Sequence, residues 1–190
     1  LLILKIINLI KKLKMTNCFN RLLMKNFKIL IFGRYGQLGS VFNKYLGKSS
    51  NVLQLGHKDA DFLNLENIPE IIKEFNPKYI INTSAYTDVN GAESNPDIAN
   101  EINCNAVKIL AEASKMNNST LIHYSTDYVF DGKKKFAYTE EDFTNPLQYY
   151  GFSKKLAEQN ILKINCKHII LRTSWVYSKF GNNFVNKLIN

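Results

Sequence analysis

Lys28-Ile-Leu-Ile-Phe32 is a short apolar run of strand length. It runs into Gly33-Arg-Tyr-Gly36-Gln-Leu-Gly39, and Gln37 to Leu46 then takes helical spacing. This junction constrains the fold more than any other feature. A strand that is apolar throughout must be covered on both faces, as happens when parallel strands are joined by crossover helices. Three glycines between such a strand and a helix have a specific use. Gly33 permits the tight turn, Gly36 lets backbone approach a pyrophosphate, and Gly39 lets the helix pack against the strand. The helix start then offers its amides and the positive end of its dipole to phosphates. A lone glycine motif has many false matches, but this one has the strand before it and the helix after it that the use requires.

The alternation continues along the chain. Val52–Leu55, Tyr79–Asn82, Thr120–Tyr124 and His168–Arg172 read as further strands. Helices are expected over Ile68–Phe75, stopped before Pro77, and from Asn95-Pro96 to about Met116. Two more are expected, near Gly151 to Ile164 and from about Asn182. Gly47 reads as a C-terminal cap and Asn95 as an N-cap. The expected fold is α/β, a doubly wound parallel sheet of Rossmann type over residues 24–190, with right-handed crossovers. The helical pattern is still running at Asn190 without a cap signal, so a chain truncated before a C-terminal substrate domain is the expectation.

Charge separates the ends of the chain from its body. Seven of the basic residues and no acid lie in the first 28 positions; setting them aside reduces the net +9 to +2. The basic residues of the body are scattered, which argues against a nucleic-acid partner. Residues 1–23 read as a basic amphipathic extension outside the fold, Met24 standing directly before the first strand. A surface-lying membrane helix is the competing reading. The apolar run is too short to span a bilayer, and its charges follow rather than precede it, unlike a secretory signal. Cys18, Cys104 and Cys166 match no metal spacing and form no disulfide framework, so a cytoplasmic setting without a metal is expected. Glu140, Glu141 and Asp142 read as a solvated acidic run, and His123 as a satisfied core histidine.

The chemistry concentrates in Tyr150-Gly-Phe-Ser-Lys154. Residues four apart share a helix face. An ammonium beside a phenol stabilises the phenolate and lowers the phenol's pKa. Tyr150 is then a proton donor to a carbonyl oxygen as hydride reaches the carbon. With the glycine turn, this predicts a nicotinamide-dependent oxidoreductase. Binders of the unphosphorylated cofactor usually place an acid after the second strand. Here Leu55-Gly-His-Lys58 has none before Asp59. Arg34 and Lys58 suit a 2′-phosphate, so NADPH is expected, with NADH as the second choice.

An ordered motif set extends this reading: His123-Tyr-Ser-Thr-Asp-Tyr-Val-Phe-Asp-Gly132, Tyr150 to Lys154, and Arg172-Thr-Ser-Trp-Val-Tyr177. Ala85-Tyr-Thr-Asp-Val-Asn-Gly-Ala-Glu93 and Asn103-Cys-Asn-Ala106 accompany it. From about Lys28 to Asn190 the chain resembles the dTDP-4-dehydrorhamnose reductases, which are extended short-chain dehydrogenase/reductases. The resemblance implies reduction of the 4-keto group of dTDP-4-dehydro-L-rhamnose with NADPH or NADH. It implies Tyr150 as catalytic acid and Lys154 as its partner, which also touches the nicotinamide ribose. It places the Thr126 hydroxyl beside the keto oxygen, with Asp127 and Trp175 against the sugar. Gly33, Gly36, Gln37 and Leu38 match the pyrophosphate turn, Asp61-Phe62 the adenine contact, and Ala85, Tyr86 and Thr87 the loop bordering the cofactor. Arg34 and Gly39 belong to the same turn. Bland alternatives stand beside these roles: a cap for Thr126, and core or interface filling for Trp175. A small-molecule substrate is the expected partner, and a homodimer is allowed. Two other functions stand beside the reductase. One is a non-catalytic dinucleotide-binding regulatory subunit, like that of methionine adenosyltransferase. The other is a further extended short-chain enzyme acting on nucleotide sugars.

Overall fold

The computed structural model describes residues 27–181 and 183–189. The expected extension over 1–23, with Cys18 and Met24, lies outside the described residues.

Five strands form one parallel sheet in the order β2-β1-β3-β4-β5. They are β1 (Ile29–Phe32), β2 (Val52–Leu55), β3 (Tyr79–Asn82), β4 (Thr120–Thr126) and β5 (Lys167–Thr173). Leu30, Phe32, Ile80 and Leu121 project to a shared core with Val107, Leu110, Ala157 and Ile161 from helices laid over that face. Burying an aliphatic or aromatic side chain of this kind contributes about 1.5–3 kcal/mol against leaving it in water. That is why strands apolar throughout fold only when helices cover them.

Register decides where a ligand can sit. Phe32 is level with Leu55 on one side and with Asn82 on the other, and Asn82 is level with His123. β4 and β5 continue to Thr126 and Thr173, beyond the ends of the first three strands. Between β1 and β3 the strand order reverses, which opens a crevice at the carboxyl ends of the strands. The two longer strands form a wall at one side of it.

The helices are α1 (Gln37–Leu46), α2 (Ile68–Phe75), α3 (Val89–Ser94), α4 (Pro96–Asn100), α5 (Ala106–Met116), α6 (Tyr149–Ile164) and α7 (Phe184–Ile189). Three expectations need correction. The single helix expected from Asn95 to Met116 is α4, a π-helical turn over Glu101–Asn105, and α5. A further helix, α3, precedes them, with Asp88 as its cap accepting from the Gly91 amide at 2.9 Å. Asn95 does stand at the N-cap position of α4 with Pro96 after it, but its side chain makes no cap bond and reaches back to donate to the Gly91 carbonyl. Gly47 does close α1, but with φ of −64° rather than in the left-handed region. The left-handed stops belong to Asn76 after α2 and Asn165 after α6. Finally, β4 extends to Thr126, so that threonine stands on a strand end.

Candidate active site

The glycine turn is built as its spacing requires. The Gly33 and Arg34 amides both donate to the Leu55 carbonyl, which bends the chain away from β1. Gly33 has φ of +90°, and a Cβ there would lie 2.8 Å from the Ser84 amide nitrogen, so no other residue fits. The Thr83 hydroxyl donates to the Phe32 carbonyl at 2.6 Å and holds the ends of β1 and β3 together. Gly36 is the N-cap of α1, and no side chain caps that helix. A Cβ on Gly39 would run into the Gly33 carbonyl. The first turn of α1 therefore meets the crevice with its amides available to an anion.

The loop after β3 is held from below. Asn103 is buried in the π turn. Its amide accepts from the Tyr86 amide at 2.9 Å and donates to the Tyr86 carbonyl at 3.0 Å. The same nitrogen reaches the Ser153 hydroxyl on α6 at 3.0 Å, and Ser153 donates to the Tyr150 carbonyl. One side chain thus ties the Ala85–Thr87 loop to the helix that carries Tyr150. A π turn puts an extra residue into the helix, and such turns recur at functional sites. Composition and spacing give no warning of it.

Tyr150, Lys154, Thr126, Asp127, Trp175, Gly36, Gln37, Leu38, Ala85 and Thr87 line one cleft of about 580 Å3. That is a ligand-sized volume. Tyr150 is half-buried, its ring edge-on to Tyr128 at 5.8 Å between centroids. Thr126 is 5% exposed; its hydroxyl donates to Asp127 and accepts from the Tyr128 amide. It is thus a strand-end hydroxyl and a local cap at once.

Lys154 is only 2% exposed, and its Nζ donates to the Tyr124 carbonyl at 2.7 Å. It also lies 3.3 Å from His123 Nε2. Burial lowers the Lys154 pKa to about 8, against the pull of Glu158. Here the structure corrects the sequence reading. The Tyr150 phenol is raised, not lowered: burial dominates, the Asp127 carboxylate and Tyr128 add to it, and only the Thr126 hydroxyl opposes. The Lys154 amine is aimed at β4 rather than at the phenol. Tyr150 therefore stays protonated throughout the neutral range.

A second cleft continues from Gly33, Gly36 and Ala85 to Asp61 and Phe62. Asp61 accepts from the Leu63 amide at 2.9 Å and faces His57 at 3.2 Å. Phe62 is buried against Phe32. Tyr35, which the sequence reading passed over, lines both clefts. Arg34 sits over the Tyr35 ring, and Lys58 is exposed on the following turn. Neither is among the residues that line the two clefts. Tyr86 and Gly39 are likewise not among the residues that line the two clefts. Trp175 is 74% exposed, so it is not core filling. It has φ of +51° and stacks edge-on against Phe184. His123 is a satisfied core histidine as read, and Cys104 and Cys166 are buried thiols.

The sequence reading also missed a buried polar network on α6. Glu158 lies one helical turn beyond Lys154. It accepts from Ser125 Oγ at 2.5 Å and from Arg172 at 2.7 and 3.0 Å. The pair fixes α6 against β4 and β5 directly beneath the cleft.

Comparison with known proteins agrees with this geometry. The family model for the RmlD substrate binding domain matches residues 27–190. A dTDP-4-dehydrorhamnose reductase of Aggregatibacter actinomycetemcomitans is 43% identical over 164 residues, 85% of this chain and 56% of the relative. That of Escherichia coli K12 is 38% identical over 165 residues, 85% of this chain and 55% of the relative. The crystal structure of dTDP-4-dehydrorhamnose reductase from Bacillus anthracis in complex with NADP superposes with a TM-score of 0.82. It is 35% identical, over 86% of this chain and 58% of that one. The chain thus spans about half the length of the curated relatives it matches. By its matching model, its relatives and its fold, the chain belongs to the RmlD family, that of the dTDP-4-dehydrorhamnose reductases.

Proposed function

We propose that the protein reduces dTDP-4-dehydro-L-rhamnose to dTDP-L-rhamnose with NADPH, NADH being the second choice. The observation that carries this reading is one cleft that holds the uncapped start of α1 at one end and Tyr150, Lys154 and Thr126 at the other.

The residues present fit a dinucleotide. The α1 amides and the glycines around them would take the pyrophosphate, and Asp61 with Phe62 the adenine end. Ala85, Thr87 and Lys154 would border the nicotinamide ribose. The bound cofactor supplies hydride to the C4 carbonyl of the sugar. Tyr150 gives the phenolic proton to the carbonyl oxygen. A phenol kept protonated by burial is in the form that donates, so the raised pKa suits reduction. Thr126 shares the developing charge on that oxygen by hydrogen bonding. Asp127 and the exposed face of Trp175 would meet the sugar. A cytoplasmic setting belongs to the same proposal; among the described residues no helix is long and apolar enough to cross a membrane.

The test separates binding from chemistry. NADPH is titrated into the protein by calorimetry, and consumption of reduced cofactor by the full-length protein is then followed with dTDP-4-dehydro-L-rhamnose. Binding with turnover is expected. Binding without turnover would point to the regulatory-subunit reading, and no binding would remove the dinucleotide site.

A further inference from the structure

The cleft at Asp61 and the cleft at Tyr150 meet at a waist. Among the described residues, Tyr35, Gly36, Ser84 and Ala85 line both. A dinucleotide with its adenine at Phe62 has to pass this waist to bring its nicotinamide to Tyr150. The α1 amides and the glycines supply backbone to such a ligand at the waist, and Ser84 and Ala85 supply only small side chains. Tyr35 is the one large side chain there, and the reaction as proposed does not use it.

The Tyr35 ring is 70% exposed, yet it has a defined seat. It lies against Gly56, the residue after β2. A Cβ on Gly56 would fall 2.3 Å from Cε2 of the ring and 2.7 Å from Cδ2, so the ring occupies the space a side chain would need. Gly56 is itself held in place. Its amide donates to the Asp59 carboxylate at 2.8 Å, and its carbonyl accepts from the Asp59 and Ala60 amides at 3.0 Å. On the other side, the Arg34 guanidinium stands 5.6 Å from the ring centroid, and the Arg34 amide is tied to the Leu55 carbonyl. The ring is thus set at the end of β2, where a fold of this kind receives the adenosine ribose. A tyrosine ring gives a large contact area and loses little rotamer freedom when a ligand covers it.

We propose that Tyr35 is a further dinucleotide-binding residue, whose ring forms the wall of the waist and packs against the adenosine ribose. This rests on the dinucleotide reading of the two clefts and adds to it a side-chain contact at the crossing between them. The contact belongs to the ring, so phenylalanine serves as well as tyrosine. It depends on Gly56, because any side chain there pushes the ring off its seat. The ring takes no part in hydride or proton transfer, so its effect falls on cofactor affinity and not on the chemical step.

The probe is ADP-ribose, which carries the adenosine ribose and the pyrophosphate without the nicotinamide. It is titrated by calorimetry into the wild-type chain and into Tyr35→Ala, Tyr35→Phe, Gly56→Ala and the double variant Tyr35→Ala with Gly56→Ala. Thermal unfolding beside each titration confirms that the variant is folded. Tyr35→Ala should bind ~10-fold more weakly, the loss expected when a ring that a ligand partly covers is removed. Tyr35→Phe should bind as the wild type does. Gly56→Ala should also weaken binding, and the double variant should lose little beyond Tyr35→Ala, because the two changes act through one ring. Wild-type affinity in folded Tyr35→Ala would overturn the proposal and leave the dinucleotide site standing. A loss in Tyr35→Phe equal to that in Tyr35→Ala, or full additivity in the double variant, would overturn it too. A wild-type chain that does not bind ADP-ribose would remove the dinucleotide site and this proposal with it.

Discussion

Replacing Lys154 with Met should make the folded chain more stable while disabling the site. Lys154 gives up its proton at about 8 in the fold, against 10.5 for a lysine in water. At ~1.4 kcal/mol for each tenfold change in proton affinity, that gap sets ~3 kcal/mol against folding at pH 7. Methionine has nearly the same reach and carries no charge. It forfeits the hydrogen bond to the Tyr124 carbonyl, worth about 1 kcal/mol, so the net gain is ~2 kcal/mol. The sign of the pH dependence follows from a depressed base. The penalty is complete below about 8 and fades as pH rises toward 10.5, so the advantage of methionine should shrink across that window. The raised Tyr124 phenol is present in both proteins and cancels in the difference. Urea unfolding of the two proteins at pH 7 and at a pH near 9.5 measures it. A methionine variant that is less stable at pH 7, or whose advantage does not change with pH, would refute the reasoning. A gain in stability beside a loss of turnover and of cofactor affinity is the usual exchange at a strained site.

Tyr150→Phe should lower turnover by ~10²–10⁴-fold with cofactor affinity nearly unchanged, because the phenol acts in the transition state; steady-state kinetics beside an NADPH titration checks this. Gly39→Ala should cost ~2 kcal/mol and weaken NADPH binding at least ~10-fold, since its Cβ meets the backbone of Gly33 and Arg34, which cannot yield as a side chain would; thermal unfolding and calorimetry read the two effects. Arg172→Met should destabilise the chain by ~3 kcal/mol by leaving the buried Glu158 carboxylate without its cation, and Glu158→Gln in the same chain should restore part of that loss, as denaturant unfolding of the single and double variants will show.

What the sequence made legible is what repeats at a fixed period. Lys28–Phe32, Val52–Leu55 and Tyr79–Asn82 are apolar runs bounded by Gly or Pro signals; the last two were readable to the residue as strands, and the first to within one residue, since β1 starts at Ile29. Gly33, Gly36 and Gly39 were readable because a strand-to-helix turn around a phosphate needs glycine at those places. Tyr150 and Lys154 were readable as a pair, but not their electrostatics. Whether an ammonium lowers a neighbouring phenol depends on where the amine points and how dry the site is. Lys154 points at Tyr124 and His123, and burial outweighs the expected attraction. Long-range partners were equally hidden. Asn103 meets Tyr86 and Ser153 only because a π turn rotates it inward, and Glu158 meets Arg172 only because β5 pairs with β4. Trp175 could have been core by composition; its exposure follows from a left-handed backbone that no local pattern signals.

The most direct measurement follows the hydride itself. The protein is incubated with dTDP-4-dehydro-L-rhamnose and NADPH deuterated at the nicotinamide C4, and the sugar product is analysed by mass and by proton resonance. The account predicts one deuterium at C4 of dTDP-L-rhamnose, formed at a rate that Tyr150→Phe cuts by ~10²–10⁴-fold. Cofactor oxidation that leaves no deuterium in the sugar would contradict it, as would a Tyr150→Phe protein that transfers the label at the wild-type rate.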